Sequence, residues 1–131
     1  MTKPAAKEGD RIVGVDTHFV MTPTPAGPVP VPTPMPFNGV FVDGLSSRVL
    51  VENAKAATVG SHAQNLPPHL PTSGPFQKPP KNQGTVEQGS TRVFLQNRSA
   101  ARAGDLAMTC NDPADAPNGV VVATGRVFFG G

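Results

Sequence analysis

The chain has 131 residues, 37% of them hydrophobic and 15% charged, with a net charge of +2, seven Phe and neither Trp nor Tyr. That length makes one domain, residues 1–131, able to bury about two-thirds of its unfolded surface, and basic residues this few and this scattered exclude a nucleic-acid-binding stripe. A lone cysteine excludes an intrachain disulfide, and there is neither a secretory h-region after Lys3 and Lys7 nor an apolar run near the ~18 residues of a membrane helix. The expectation is a chain made in the cytoplasm without a signal peptide.

Along the chain, Ala5-Ala6-Lys7-Glu8-Gly9-Asp10 comes first, followed by a β-rich run over 11–20. A proline-rich wrap occupies 22–37, with Pro23, Pro25, Pro28, Pro30, Pro32, Pro34 and Pro36. Proline lacks an N–H, and alternate residues of an extended chain point their N–H groups to one side. A strand built this way loses its donors along one edge and still pairs along the other. The alternative is a polyproline II linker or SH3-type ligand, but Val29, Val31 and Met35 interleave with the prolines. Phe37-Asn38-Gly39 then reads as a turn before a strand over 40–42.

The next segment, 49–61, aligns without a gap on 93–105: Val49-Leu50-Val51-Glu52-Asn53 with Val93-Phe94-Leu95-Gln96-Asn97, then Ala56-Ala57 with Ala100-Ala101, and Gly60-Ser61 with Gly104-Asp105. Both read as strand, Asn turn, Ala-Ala-x-x-Gly-Ser/Asp. Between them, 62–88 reads as a long loop rich in proline, and loops of that length are usually functional. After the second copy, 106–110 runs extended, Asn118-Gly119 reads as a turn, and Arg126-Val127-Phe128-Phe129 is a closing strand. Asn97-Arg98-Ser99 matches a glycosylation sequon but reads as a turn. The opening Ala-Ala frame has no strand before it and the closing strand has no frame after it, so the two ends are expected to meet and complete a third unit. Three similar units around an axis suit a cap on a homotrimer. With no amphipathic helix in view, the expected fold is all-β.

The three histidines and the cysteine, His18, His62, His69 and Cys110, equal in number the ligands of a closed tetrahedral metal site. His18 and His69 each lie eight residues beyond the Gly-Asp or Gly-Ser of a frame, and Cys110 lies five beyond Asp105; His62 has no such counterpart. Four protein ligands make the ion structural, whereas three leave an open position for chemistry. The alternative is a buried apolar thiol beside loop histidines. Asp10, Asp16 and Asp105 are candidates for a carboxylate cluster, but a Gly-Asp at a repeat boundary, as at Asp10 and Asp105, reads as a turn cap. No nucleophile elbow, P-loop or His-Glu-x-x-His is present, so the chain is not expected to be an enzyme.

The frame Ser99-Ala100-Ala101-Arg102-Ala103-Gly104-Asp105, with Pro4-Ala5-Ala6-Lys7-Glu8-Gly9-Asp10 and the ending Gly125-Arg126-Val127-Phe128-Phe129-Gly130-Gly131, resembles the PAAR repeat across essentially the whole chain. The resemblance implies a small cone or β-prism of three such repeats with pseudo-threefold symmetry. Its base would sit on the trimeric VgrG-like spike of a contractile injection machine (type VI secretion, extracellular injection systems or phage-like tails), and its apex, tied by a His/Cys-bound metal, would be the piercing point. It implies a structural zinc, with iron as the other candidate, transient contact with a target membrane, and delivery outside the producing cell or into target cells. Docking would use Val49, Val51, Val93, Leu95, Val127 and Phe129, with Leu50, Phe94 and Phe128 on the opposite face; periodicity leaves open which face is the base. In this variety of the family a histidine often stands where Met35 stands here, which leaves the fourth metal position between His62 and the Met35 thioether. PAAR chains can carry effectors, but here Gly131 directly follows the closing strand, so no toxin extension is expected. A metal-free proline-rich interaction module or effector carrier is the rival reading.

Overall fold

The computed structural model describes residues 2–131, which contain twelve β-strands and no helix. Six strands close into an antiparallel barrel in the order β10-β11-β2-β3-β6-β7. Its three hairpins are β2 (Arg11–Thr22) with β3 (Val29–Asp43), β6 (His62–Asn65) with β7 (Gln83–Val86), and β10 (Leu106–Thr109) with β11 (Ala116–Val122). Each hairpin starts immediately after Asp10, Ser61 or Asp105. In these three turns the cap side chain accepts a backbone N–H three residues back: Lys7 N to Asp10 Oδ2 at 3.0 Å, Thr58 N to Ser61 Oγ at 2.9 Å, Arg102 N to Asp105 Oδ2 at 2.7 Å. The preceding glycines, Gly9, Gly60 and Gly104, take φ of +93°, +94° and +89°, which a side chain would strain.

Three short ladders precede the barrel hairpins. β4 (Leu50–Val51) pairs with β5 (Ala54–Lys55), and β8 (Phe94–Leu95) with β9 (Arg98–Ser99). Their two-residue turns, Glu52-Asn53 and Gln96-Asn97, both have two positive φ angles, as a tight hairpin requires. The third ladder joins the ends of the chain: β1 (Lys3–Pro4) pairs with β12 (Phe128–Phe129), Lys3 opposite Phe129 and Pro4 opposite Phe128.

The Ala-Ala pairs bond to one another in a closed ring. Ala6 N donates to Ala101 O at 3.0 Å, Ala101 N to Ala57 O at 3.0 Å, and Ala57 N to Ala6 O at 2.9 Å. These three methyl groups are fully buried in a core with Ile12, Phe37, Phe41, Val86 and Val121. Only a methyl fits where three backbones converge. Ala101→Leu is therefore expected to lower the thermal midpoint, at a cost of about 1–3 kcal/mol from overpacking, while the same change at exposed Ala26 leaves it unaltered; calorimetry of the two variants checks this.

β3 pairs with β2 from Val29 opposite Thr22 to Val40 opposite Arg11. Val31, Thr33 and Met35 alternate with Pro30, Pro32, Pro34 and Pro36, so the bonded positions keep their N–H groups and the missing donors face the other edge. β6 joins that edge only from Gly39 onward. The unpaired stretch therefore cannot template a second chain.

Three sequence expectations differ from the structure. No turn interrupts β3 at Asn38-Gly39: Asn38 N donates to Asn65 Oδ1 at 2.9 Å, and Gly39 lies under the Phe37 ring, where a Cβ would come 2.8 Å from Cε1. Asn118-Gly119 is likewise within β11, because the strand passes so close to Ile12 that a Cβ on Gly119 would meet Cγ2 at 2.7 Å. Finally, the two ends of the supposed loop 62–88 are the barrel hairpin β6–β7, leaving 66–82 as the irregular part.

Candidate metal centre

Asp16 and His18 stand two apart on β2, so both point to the same, inner face of the strand. His69 comes from the 66–82 loop and Cys110 from the residue after β10, so each barrel hairpin contributes. All four side chains are buried, and one ligand atom from each lies within 4.8 Å of the others. Asp16 Oδ2 is 3.0 Å from His69 Nε2, 3.9 Å from His18 Nε2 and 3.3 Å from Cys110 Sγ, which donates to it; Sγ is 3.8 Å from His18 Nε2. Ligands at ordinary bond lengths on a tetrahedral ion stand about 3.3–3.6 Å apart. Three of the quoted pairs, at 3.0, 3.3 and 3.8 Å, are within a few tenths of an ångström of that spacing, and the widest separations, up to 4.8 Å, would have to close around an ion.

Local hydrogen bonds hold the parts in place. The Thr109 hydroxyl donates to Asp16 Oδ1, leaving Oδ2 toward the centre. His69 N and Asn65 Nδ2 both donate to Asn82 Oδ1, at 2.8 and 3.1 Å, which ties the loop to the mouth of the β6–β7 hairpin. The His18 ring packs against His69 with centroids 5.0 Å apart and edge-on to Phe76 at 5.9 Å. Burying a carboxylate costs several kcal/mol unless a cation compensates it, and among the described residues Asp16 faces no Lys or Arg ion pair, only the two histidines. The donor set, two nitrogens, an oxygen and a sulfur, fits a metal ion. With all four bound, no position remains for water or substrate.

Burial, and next to it the Asp16 carboxylate, push the Cys110 thiol up from 9.0 to about 12. In the metal-free chain the shift favours the fold below pH 9, and this contribution is lost as pH rises through about 12. A bound ion needs the thiolate. Metal uptake near pH 7 is therefore expected to release the Cys110 proton and to tighten about tenfold per pH unit on that account alone; titration in a weakly buffered indicator solution measures the proton.

His62 is not part of the cluster. It opens β6 half-buried, its Nδ1 2.9 Å from Thr85 Oγ1, while its neighbours Ser61 and Ala63 take the inward positions. The fourth member of the cluster is Asp16, which the sequence offered only as part of a carboxylate set with Asp10 and Asp105. The signal was present: Asp16-Thr17-His18 in a β-rich run places two ligand types on one strand face. Met35 is buried directly across from Asp16 in the β2–β3 ladder.

Of the apolar set on the ladders, Val51 is buried, and Val49, Leu95, Val127 and Phe129 pack half-buried around Ala5 and Ala56; Val93 is half-buried as well. Leu50, Phe94 and Phe128 are 59, 58 and 51% exposed. In the two gap-free frames this apolar set comes just before the Ala-Ala pair and a barrel hairpin just after it, while Val127, Phe128 and Phe129 belong to the closing segment that pairs with the chain start. Among the described residues no helix is long and apolar enough to cross a membrane. Compared with known proteins, the chain matches no family model and no curated protein.

Proposed function

We propose that this chain is the tip of a contractile injection machine: a cone or prism of three PAAR-type repeats that caps a trimeric VgrG-like spike and is braced by one structural ion. The observation that carries this reading is the closed ring of alanine hydrogen bonds together with the pairing of the two chain ends. One polypeptide thereby offers three related ladders around one axis, the surface a threefold partner requires. The likeness to the PAAR repeat rests on the residue frames. Zinc is the ion the donor set suits best, with iron second. It would bind through Asp16, His18, His69 and Cys110 and tie the three barrel hairpins together. Its role is stiffness rather than catalysis.

The half-buried residues of the ladders form the base that docks on the spike, and Leu50, Phe94 and Phe128 lie on its flanks. Delivery outside the cell, brief contact with a target membrane and carriage of effectors follow from this role. A proline-rich peptide ligand is the weaker reading, since Pro30 to Pro36 are already held in a ladder with β2.

Native mass spectrometry of the protein mixed with a candidate spike trimer tests the proposal. One tip per three spike chains is expected; three tips per trimer, or no complex with any such spike, would overturn it. Leu95→Asp is expected to abolish the complex and Phe94→Asp to preserve it, which identifies the docking face.

A further inference from the structure

We infer that Asp112 is the positioning residue of the metal centre, fixing which nitrogen of His18 faces the ion; the inference rests on the metal reading of the cluster. His18 Nδ1 is buried and, among the described residues, is the one buried side-chain polar atom without a hydrogen bond. Asp112 Oδ2 lies 3.4 Å from it, and the Asp112 side chain is itself almost fully buried. A buried polar atom left unsatisfied costs about 1–3 kcal/mol, so its placement beside a buried carboxylate calls for a reason.

The segment that supplies the thiol also supplies this carboxylate. Residues 110–112 run beside β2: Thr17 N donates to Asn111 Oδ1 at 2.7 Å, Asp112 N to Thr17 O at 2.8 Å, and Phe19 N to Asp112 Oδ2 at 3.0 Å. Cys110 therefore approaches His18 Nε2 from one side of the ring, at 3.8 Å, while Asp112 stands at Nδ1 on the other. Neutral imidazole has one N–H and one lone pair. A carboxylate beside Nδ1 keeps the proton there and leaves the Nε2 lone pair for the ion, the arrangement by which outer-shell carboxylates orient metal-bound histidines. The bond network among 110–112 and β2 sets this carboxylate, so ligand and orienting group move together.

The full chain, loaded with zinc, is titrated with a chromophoric chelator as wild type, Asp112→Asn and His62→Ala. Asparagine keeps an oxygen for Phe19 N–H, so a purely structural role for Asp112 predicts no change in zinc affinity. The expected result is a loss of about 10- to 100-fold in D112N, with one ion still bound at saturation and His62→Ala matching wild type. Wild-type affinity in D112N would overturn the assignment alone. A wild-type chain that takes up no zinc would overturn the metal centre and the assignment with it. If D112N does not fold, imidazole ¹⁵N shifts of the zinc-loaded wild type decide: protonated Nδ1 with metal at Nε2 supports the assignment, and metal at Nδ1 overturns it.

Discussion

Cys110→Ser is expected to reduce bound metal from about one ion per chain toward none and to lower the thermal midpoint by well over ten degrees. Serine is nearly isosteric, but its hydroxyl does not ionise as a thiol does, and the thiolate is the softest and longest-reaching of the four donors. A structural ion contributes on the order of 10 kcal/mol to folding, while the fully buried core holds just two aromatic rings, Phe37 and Phe41, among the described residues. Most of the stability of the fold is therefore expected to depend on the ion. Elemental analysis and calorimetry before and after chelation measure both effects. If Cys110→Ser keeps its metal and its midpoint, the four residues are not a metal site.

The second large effect separates Asp16 from His62. Asp16→Asn keeps the shape of the side chain and removes its charge. With metal present the variant is expected to lose most of its affinity and several kcal/mol of stability, because one of four ligands is gone. After chelation the order changes: D16N is then at least as stable as wild type, since a buried carboxylate without a cation no longer has to be accommodated. His62→Ala removes one hydrogen bond to Thr85 and is expected to cost only about 0.5–1.5 kcal/mol in either state. Denaturant curves of the three proteins, each with and without chelator, test this; equal responses of D16N and wild type to chelation would remove Asp16 from the ligand set.

The difference between these two residues shows what the sequence made legible. Histidine and cysteine can be counted, and His18, His69 and Cys110 were found that way. Counting gave no weight to which way a side chain faces. His62 alternates outward between two buried neighbours, whereas Asp16 shares the inner face of β2 with His18. The repeated frames at 49–61 and 93–105 carried the ladders, the alanine pairs and the joining of the ends, because strand, Asn turn and Ala-Ala each have a local cause. Asn38-Gly39 and Asn118-Gly119 carried the same local turn chemistry, yet both are strand. There the glycine serves close approach, to the Phe37 ring in one case and to Ile12 in the other, and only the packed partner reveals it. The hairpin β6–β7 was hidden for a related reason: His-Ala-Gln-Asn has little intrinsic strand preference and Gln-Gly-Thr-Val has it only in its last two residues, and pairing within the barrel supplies the rest.

Lys3 opposite Phe129 has a consequence for folding. β1 has to wait for β12, so no fragment lacking either strand can complete the ring of ladders. Contacts this distant along the chain make for slow folding, so the closed ring is among the last features to form. Until that pairing forms, the protein is an open, proline-rich chain.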